Sequence, residues 1–436
     1  MKLLIRNGRV IDPANGVDAV QDVLVQDGLI AQTGRHIERA AREGAEVLDA
    51  TGKVVCPGLI DIHVHLREPG YEYKETVQTG TRAAAAGGFT AVCCMANTEP
   101  VNDTRAVTDY ILAKARAEGA VRVYPIGAVT RGLKGQELAE LGELAEAGCV
   151  AYSDDGRPVM HSGLFRRALE YAQAFGKPII SHADDLHLSA GGVMHEGFVS
   201  TDLGLGGIPS VAEEVMVARD IALAELTGTP VHIAHVSTAA AVRLLRDARA
   251  RGVAVTGEVT PHHLLLTDEA LRAYDANAKM APPLRSKRDV EACREALADG
   301  TLGAIATDHA PHALTDKEVE LDQAANGIVG LETAVALCLT HLVRERVLDL
   351  PTFIARLTVA PARILDLPGG TLTPGAPGDV TVLDLEQRHT IEPARFQSKG
   401  RNTPFAGWAC VGAPVATVVG GQVVMMDGAI RAERLG

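Results

Sequence analysis

Eight apolar, strand-like runs spaced through the middle of the chain, with helix-favouring stretches between them, restrict its fold more than any other feature. The runs cover residues 59–66, 90–95, 121–126, 149–153, 178–182, 231–236, 253–259 and 302–307. The segments 75–86, 104–118, 161–175 and 211–226 carry Ala, Glu, Leu and Arg at amphipathic helical spacing. Eight strands alternating with helices predict an α/β chain, a (β/α)8 TIM barrel. An open doubly wound sheet fits less well, because no GxGxxG turn opens the first unit. Of the 436 residues, a barrel core of roughly 200–250 leaves enough for a second domain.

The two ends of the chain read differently. Short alternating strands are expected at 2–7, 22–26, 29–33 and 46–49, with Asn-Gly and Asp-Gly turns nearby. Near the other end, Pro368-Gly369 and Pro377-Gly378 punctuate strands expected at 379–383 and 416–426. The two ends are predicted to form one small β-sandwich domain, residues 1–52 with 368–436, beside a metal-dependent hydrolase barrel at 53–367.

Composition narrows the function. A formal net charge of −13 opposes general affinity for nucleic acid or anionic membrane. The opening MKLLIRNGRVIDP lacks an apolar signal core, and no apolar run approaches the roughly 18–20 residues of a membrane span, so a soluble, cytoplasmic protein is expected. The seven cysteines are scattered through apolar runs without a CxxC pair, and Cys93-Cys94 reads as strand packing with no base beside it. A thiolate metal site is therefore disfavoured, and any metal must be held by imidazole and carboxylate.

Barrel active sites lie at the C-terminal ends of the strands, so the residues there carry most of the information. The first run ends in His63-Val64-His65, a spacing that puts both imidazoles on one face of a strand. Asp154 and Asp155 follow the fourth run, His182 ends the fifth, His235 lies in the sixth, and the eighth runs into Asp308. A single histidine at such a place is ordinarily a hydrogen-bonded structural residue. Six groups closing five strands form a metal-binding pattern. Nitrogen and oxygen donors suit Zn2+, with Mn2+ or Co2+ as substitutes. The number of ligands suggests two sites: His63, His65 and Asp308 at one, His182 and His235 at the other, and a carboxylate after strand four between them. Such ions lower the pKa of bound water enough to supply a nucleophile at neutral pH, with Asp308 placed to shuttle a proton. His262 and His263 are expected to be structural, since these positions already fill two metal shells.

HVHLREPG (63–70), MANT (95–98), SDDG (153–156), HIAHVST (232–238), EVTPHHL (258–264), KMAPPLRS (279–286), ATDHAPH (306–312) and GIVGLET (327–333) together resemble dihydroorotases of the class I bacterial type, within the cyclic amidohydrolase superfamily. The resemblance spans essentially the whole chain. It implies zinc ligation by His63, His65, His182, His235 and Asp308, with Asp155 as the bridge; the choice of Asp155 over Asp154 rests on the resemblance alone. Many relatives bridge with a carboxylated lysine on strand four, but CVAYSDDG contains none.

Arg67 resembles the family's carboxylate-binding arginine, and a guanidinium suits bidentate carboxylate recognition. Asn97 and His312 are similar to its partners, and His65, Ala281, Asn326 and Gly327 complete the implied substrate contacts. Two departures stand out. Ala281 replaces the Asn of KxNPPLR, and Ala325-Asn326 replaces the Pro-Phe of APFGIVG. The implied activity is reversible cyclisation of N-carbamoyl-L-aspartate to (S)-dihydroorotate, the third step of de novo pyrimidine biosynthesis. A homodimer is implied, as is contact with aspartate carbamoyltransferase. Two rivals remain. Hydantoinases and allantoinases act on related rings without the carboxylate, which Arg67 disfavours. A non-catalytic, dihydroorotase-like partner of aspartate carbamoyltransferase would tolerate lost ligands, whereas every ligand position here is filled.

Overall fold

A computed structural model describes residues 1–38 and 42–431. Seven of the eight expected barrel strands appear as regular parallel strands. Leu59–Val64 pairs with Phe89–Cys94, which pairs with Arg122–Pro125. Ile179–Ser181, Val231–Ile233, Val255–Val259 and Ala304–Ile305 continue the sequence in order. The fourth narrows to Tyr152, which bridges Gly127 on one side and Ile179 on the other. Its neighbours still make strand hydrogen bonds both ways: Val150 N donates to Pro125 O, and Ile180 N donates to Tyr152 O. A parallel bridge between Val64 and His309 closes the ring.

The helices follow the amphipathic segments. Val77–Ala86, Arg105–Glu118, Ser162–Gln173 and Val211–Thr227 bury apolar faces against the outside of the barrel. The first begins in a reciprocal cap, Thr76 Oγ1 accepting from Thr79 N while Thr79 Oγ1 accepts from Thr76 N. Inside the ring, small and branched residues from successive strands fill the centre, among them Ile60, Ile62, Ala91, Cys93, Ile126, Ile180, Ala234 and Ala304. Strand one carries an extra residue relative to strand two: Asp61 pairs with Val92 but Val64 with Cys94. That slip lets His63 and His65 follow the core residue Ile62 into the barrel mouth.

Strands from both ends of the chain form one sheet of nine among the described residues. Its order is Ala429–Ile430, Gln422–Met426, Ala409–Val419, Val380–Thr390, Val54–Pro57, Lys2–Asp12, Val17–Gln26 and Leu29–Gly34, with Glu46–Asp49 also beside Lys2–Asp12. Val54–Pro57 is the seam, parallel to Lys2–Asp12 and antiparallel to Val380–Thr390. Leu3, Ile5, Val23, Val25 and Ile30 pack with Val380, Val382 and Val418 in its core. The strand expected at 416–426 is in fact two, because Gly420 (φ 56°) and Gly421 (φ 81°) take the left-handed conformations of a tight hairpin turn. The bidentate Arg122–Asp379 pair, at 2.7 and 3.0 Å, joins this sheet to barrel strand three.

Candidate metal centre and substrate cavity

Six side chains meet at the C-terminal mouth of the barrel. His63 Nε2 lies 3.4 Å from Asp155 Oδ1 and 3.4 Å from Asp308 Oδ1. His65 Nε2 is 3.0 Å from Asp308 Oδ1 and 3.5 Å from Asp155 Oδ2. Across the mouth, His182 Nδ1 and His235 Nε2 are 2.8 Å apart, 3.4 and 3.5 Å respectively from Asp155 Oδ1. Asp155 thus stands between two groups of donors, His63–His65–Asp308 and His182–His235. Within two overlapping trios, His63–His65–Asp308 and His63–Asp155–His235, all donor atoms lie within 4.8 Å of one another.

Adjacent aspartates have opposite destinations. Asp154 turns away, accepting from Val129 N at 2.8 Å and Thr130 N at 3.0 Å, and so pins the loop after strand three. Thr130 Oγ1 donates to its other oxygen, so with both oxygens spent on that loop, only Asp155 faces the centre.

The donor set fits a divalent cation. His63 Nε2 and Asp155 Oδ1 are buried, face one another, and have no hydrogen-bond partner, an arrangement that is costly unless a shared cation satisfies both. Among the described residues, Asp155, Asp308 and Glu258 form ion pairs only with histidines. Burial pushes the Asp308 carboxyl up, but the imidazoles of His63 and His65 outweigh it and hold the acid well below its ordinary range.

Further hydrogen bonds orient these candidate ligands. His63 Nδ1 lies 2.7 Å from Glu258 Oε1, so Glu258 holds a ring proton on Nδ1 and Nε2 is the nitrogen turned toward Asp155 and Asp308. Glu258 Oε2 meets His232 Nε2 at 3.1 Å, and His232 Nδ1 meets Thr256 Oγ1 at 2.8 Å. Burial opposes ionisation of Glu258, yet His63 and His232 carry its pKa down to about 2. Asp61 accepts from His63 N at 3.1 Å and Thr307 N at 3.2 Å, tying strand one to strand eight beneath the ligands. The sequence reading assigned no role to Glu258, His232 or Asp61. Their available signal was an ionisable residue within an otherwise apolar barrel strand.

A cavity of about 370 Å³ opens beside the six ligands, and Arg67, Asn97, Ala281, His312 and Asn326 all line it. Arg67 Nε donates to Pro311 O at 3.2 Å, which orients the guanidinium. His312 Nε2 donates to Asn326 O at 2.9 Å, and Lys74 Nζ reaches His312 Nδ1 at 3.3 Å. Burial, reinforced by the charges of Arg67, Lys74 and Lys317, pushes the His312 pKa down to about 3, so its ring is neutral. Gly327 stands behind this wall: a Cβ there would come within 2.8 Å of both Ala310 O and His312 Cδ2, at φ 152°. Lys317 is buried and donates to Ala325 O at 2.7 Å, and Gly327 N donates to Lys279 O at 3.0 Å. With the His312–Asn326 contact, these bonds brace the 325–327 segment, which carries the departures Ala325 and Asn326, and Ala281 offers backbone rather than a polar side chain.

His262 and His263 are buried behind the centre. His263 bridges Thr260 Oγ1 and Pro282 O, and burial pushes the His262 pKa down to about 3. All seven cysteines are free and buried, and burial raises the Cys94 thiol to about 12, which leaves no thiolate nucleophile. No helix among the described residues is long and apolar enough to cross a membrane.

The model of a dihydro-orotase-like family matches residues 52–241, and that of an amidohydrolase family matches 189–425. A dihydroorotase of Pelotomaculum thermopropionicum is 61% identical over 431 residues, 99% of this chain and all of the relative. One of Anaeromyxobacter dehalogenans is 61% identical over 97% of both chains, and one of Geobacter metallireducens 56% identical over 97% of this chain and 99% of its own. Among solved structures, an L-hydantoinase (dihydropyrimidinase) from Arthrobacter aurescens matches with a TM-score of 0.89 at 26% identity, covering 99% of this chain and 97% of its own. A D-hydantoinase (dihydropyrimidinase) from Thermus sp. gives 0.83 at 27%, with the same coverage.

Proposed function

The chain belongs to the dihydroorotase family of the amidohydrolases, and from that membership we propose that it interconverts N-carbamoyl-L-aspartate and (S)-dihydroorotate at a centre for two zinc ions. The observation that carries the reading is the position of Arg67 on the wall of the cavity lined by His65, Asp155, His182, His235 and Asp308, with His63 buried against them. A cyclic-amide carbonyl at the metal centre leaves the ring carboxylate of dihydroorotate toward a guanidinium, which a hydantoin or dihydrouracil cannot engage.

His63, His65 and Asp308 would hold one ion, His182 and His235 the other, with Asp155 between them. When bound, the ions supply Lewis acidity and lower the pKa of water in the site. The protein's own groups do the rest. Asp308 accepts the proton of the attacking water as its oxygen bonds to the ring carbonyl carbon. The ring C–N bond then breaks, and Asp308 returns the proton to the departing nitrogen. Ring closure follows the same path backwards, with water as the leaving group. Arg67 holds the substrate carboxylate, Asn97 Nδ2 and the braced 325–327 segment border its pocket, and neutral His312 presents no competing charge. Membership of the family also supports a cytoplasmic location, a homodimer, and association with aspartate carbamoyltransferase; sedimentation of the protein alone and with that enzyme tests the assemblies.

The deciding experiment measures metal content and turnover of dihydroorotate beside hydantoin, dihydrouracil and allantoin. Zinc-dependent turnover of dihydroorotate far above the others is expected. Preference for an uncarboxylated ring would overturn the reading in favour of a hydantoinase-type activity, the one named for the solved structures of similar fold.

A further inference from the structure

An imidazole coordinates a metal through a nitrogen without a proton, so the proton must sit on the other nitrogen and needs an acceptor there. For His63 that acceptor is Glu258. His65 has no carboxylate in this position: its Nδ1 lies 2.9 Å from Oδ1 of Asn97, while its Nε2 faces Asp308 and Asp155.

Barrel register brings the two together. Val64 pairs with Cys94, and Met95 N donates to Val64 O, so the turn 95–98 that follows strand two stands beside His65, the residue just beyond strand one. The turn that carries Asn97 is closed by Thr98 N and Asn102 N, both donating to Ala96 O, and by Thr98 Oγ1 donating to Pro100 O. The amide is therefore supported by backbone on both sides. Its Nδ2 has no hydrogen-bond partner among the described residues and borders Gly156 in the cavity wall.

We propose that Asn97 is a positioning residue for the metal centre: its amide oxygen locks His65 in the tautomer that presents Nε2 to the metal, while its amide nitrogen remains free for the substrate. The substrate half of this inference rests on the dihydroorotase reading; the metal half rests on the His65–Asn97 geometry and on His65 as a ligand. The residue type follows from the double duty. A carboxylate would accept the His65 proton more strongly but would set a negative charge against the substrate's own carboxylate. An amide has an acceptor for one neighbour and a donor for the other.

Asn97→Asp, Asn97→Ala and Asn97→Leu separate the two roles. Zinc affinity is read by competition with a chromophoric chelator, alongside thermal melts and steady-state kinetics on dihydroorotate. Asn97→Asp keeps the acceptor and is expected to hold zinc about as tightly as wild type while its KM rises. Asn97→Ala and Asn97→Leu lose the acceptor and are expected to bind one zinc equivalent about 10- to 100-fold more weakly. Leu keeps the branching of Asn without its acceptor and carries the test if the Ala variant fails to fold. Wild-type zinc affinity in both apolar variants, or equal zinc loss in Asn97→Asp, overturns the proposal. If the affinities sort as expected while wild type ignores dihydroorotate, the function reading fails and the His65 role stands.

Discussion

Replacing Glu258 should separate what a buried carboxylate does for a metal ligand from what any acceptor would do. Its two oxygens serve two buried rings, His63 Nδ1 at 2.7 Å and His232 Nε2 at 3.1 Å. A Gln can keep its oxygen toward His63 and turn its amide toward His232, provided that ring moves its proton to Nδ1 and donates to Thr256 Oγ1, 2.8 Å away. The geometry survives and only the negative charge is lost. Zinc affinity in E258Q should fall about 10-fold, the lower end for loss of such a partner. In E258A both ring nitrogens are stranded in a site closed to water, at about 1–3 kcal/mol each. The metal-free protein should then be destabilised by about 2–6 kcal/mol and zinc affinity should fall toward 100-fold. Chelator competition and denaturant unfolding of metal-free protein read the two effects separately. Equal behaviour of the two variants, or wild-type zinc affinity in E258A, would refute the assignment of His63 as a ligand oriented through Nδ1.

Three further expectations follow from the cavity. Arg67→Ala removes a charge-assisted contact of about 1.5–3 kcal/mol, so kcat/KM for dihydroorotate should fall about 10- to 150-fold, mainly through KM, with zinc content unchanged; a loss confined to kcat contradicts the carboxylate role. Asp308→Asn keeps an oxygen donor for the metal but cannot carry the proton, so kcat should drop about 10²- to 10⁴-fold while zinc is retained, and near-normal turnover in metal-replete protein would sink the mechanism. His312 has a folded-state pKa near 3 against an ordinary value of 6.5, so the unfolded chain binds the extra proton between those values. This residue's contribution therefore favours the folded protein fully above about pH 6.5 and is lost progressively as pH falls toward 3. Unfolding free energy against pH, measured on metal-free protein, should slope less steeply in His312→Gln over that window; an unchanged slope counts against a neutral, buried His312.

The barrel was legible because its signal is local. A run such as 231–236 is apolar, short and followed by helix formers, and each of those properties is written in consecutive residues. The features that escaped are set by distant ones. Val54–Pro57 is a strand because Lys2–Asp12 and Val380–Thr390 flank it, and four residues carry no periodicity to show that. The 149–153 run becomes a single bridging residue because Asp154, immediately after it, is drawn off to cap the turn at Val129 and Thr130. The same turn separates Asp154 from Asp155, a distinction that two identical neighbours cannot encode. Glu258 and His232 stand out only as ionisable residues in apolar strands, and their role exists only where strands six and seven bring them to His63.

Two residues of the centre and one on the cavity wall are among the ten described non-glycine residues with positive φ. Arg67, His235 and Asp308 have φ values of 62°, 33° and 46°, in the left-handed region that costs an ordinary residue roughly 1–2 kcal/mol. The reason is geometric. Each lies at or just beyond the end of a barrel strand, where the chain must leave for a helix on the outside while the side chain stays aimed at the mouth. A left-handed turn at the functional residue does both. The surrounding bonds hold it there: His65 N donates to His309 O, and Val236 N donates to Glu258 O. Glycine would be the easiest residue at these points, so a histidine or an aspartate in its place is a cost the fold bears for the site. Asparagine tolerates the left-handed region nearly as well as any residue with a side chain. Asp308→Asn therefore removes the proton carrier without changing the backbone's strain, whereas Asp308→Ala would alter both, and loss of turnover in the alanine variant could not be assigned to chemistry alone.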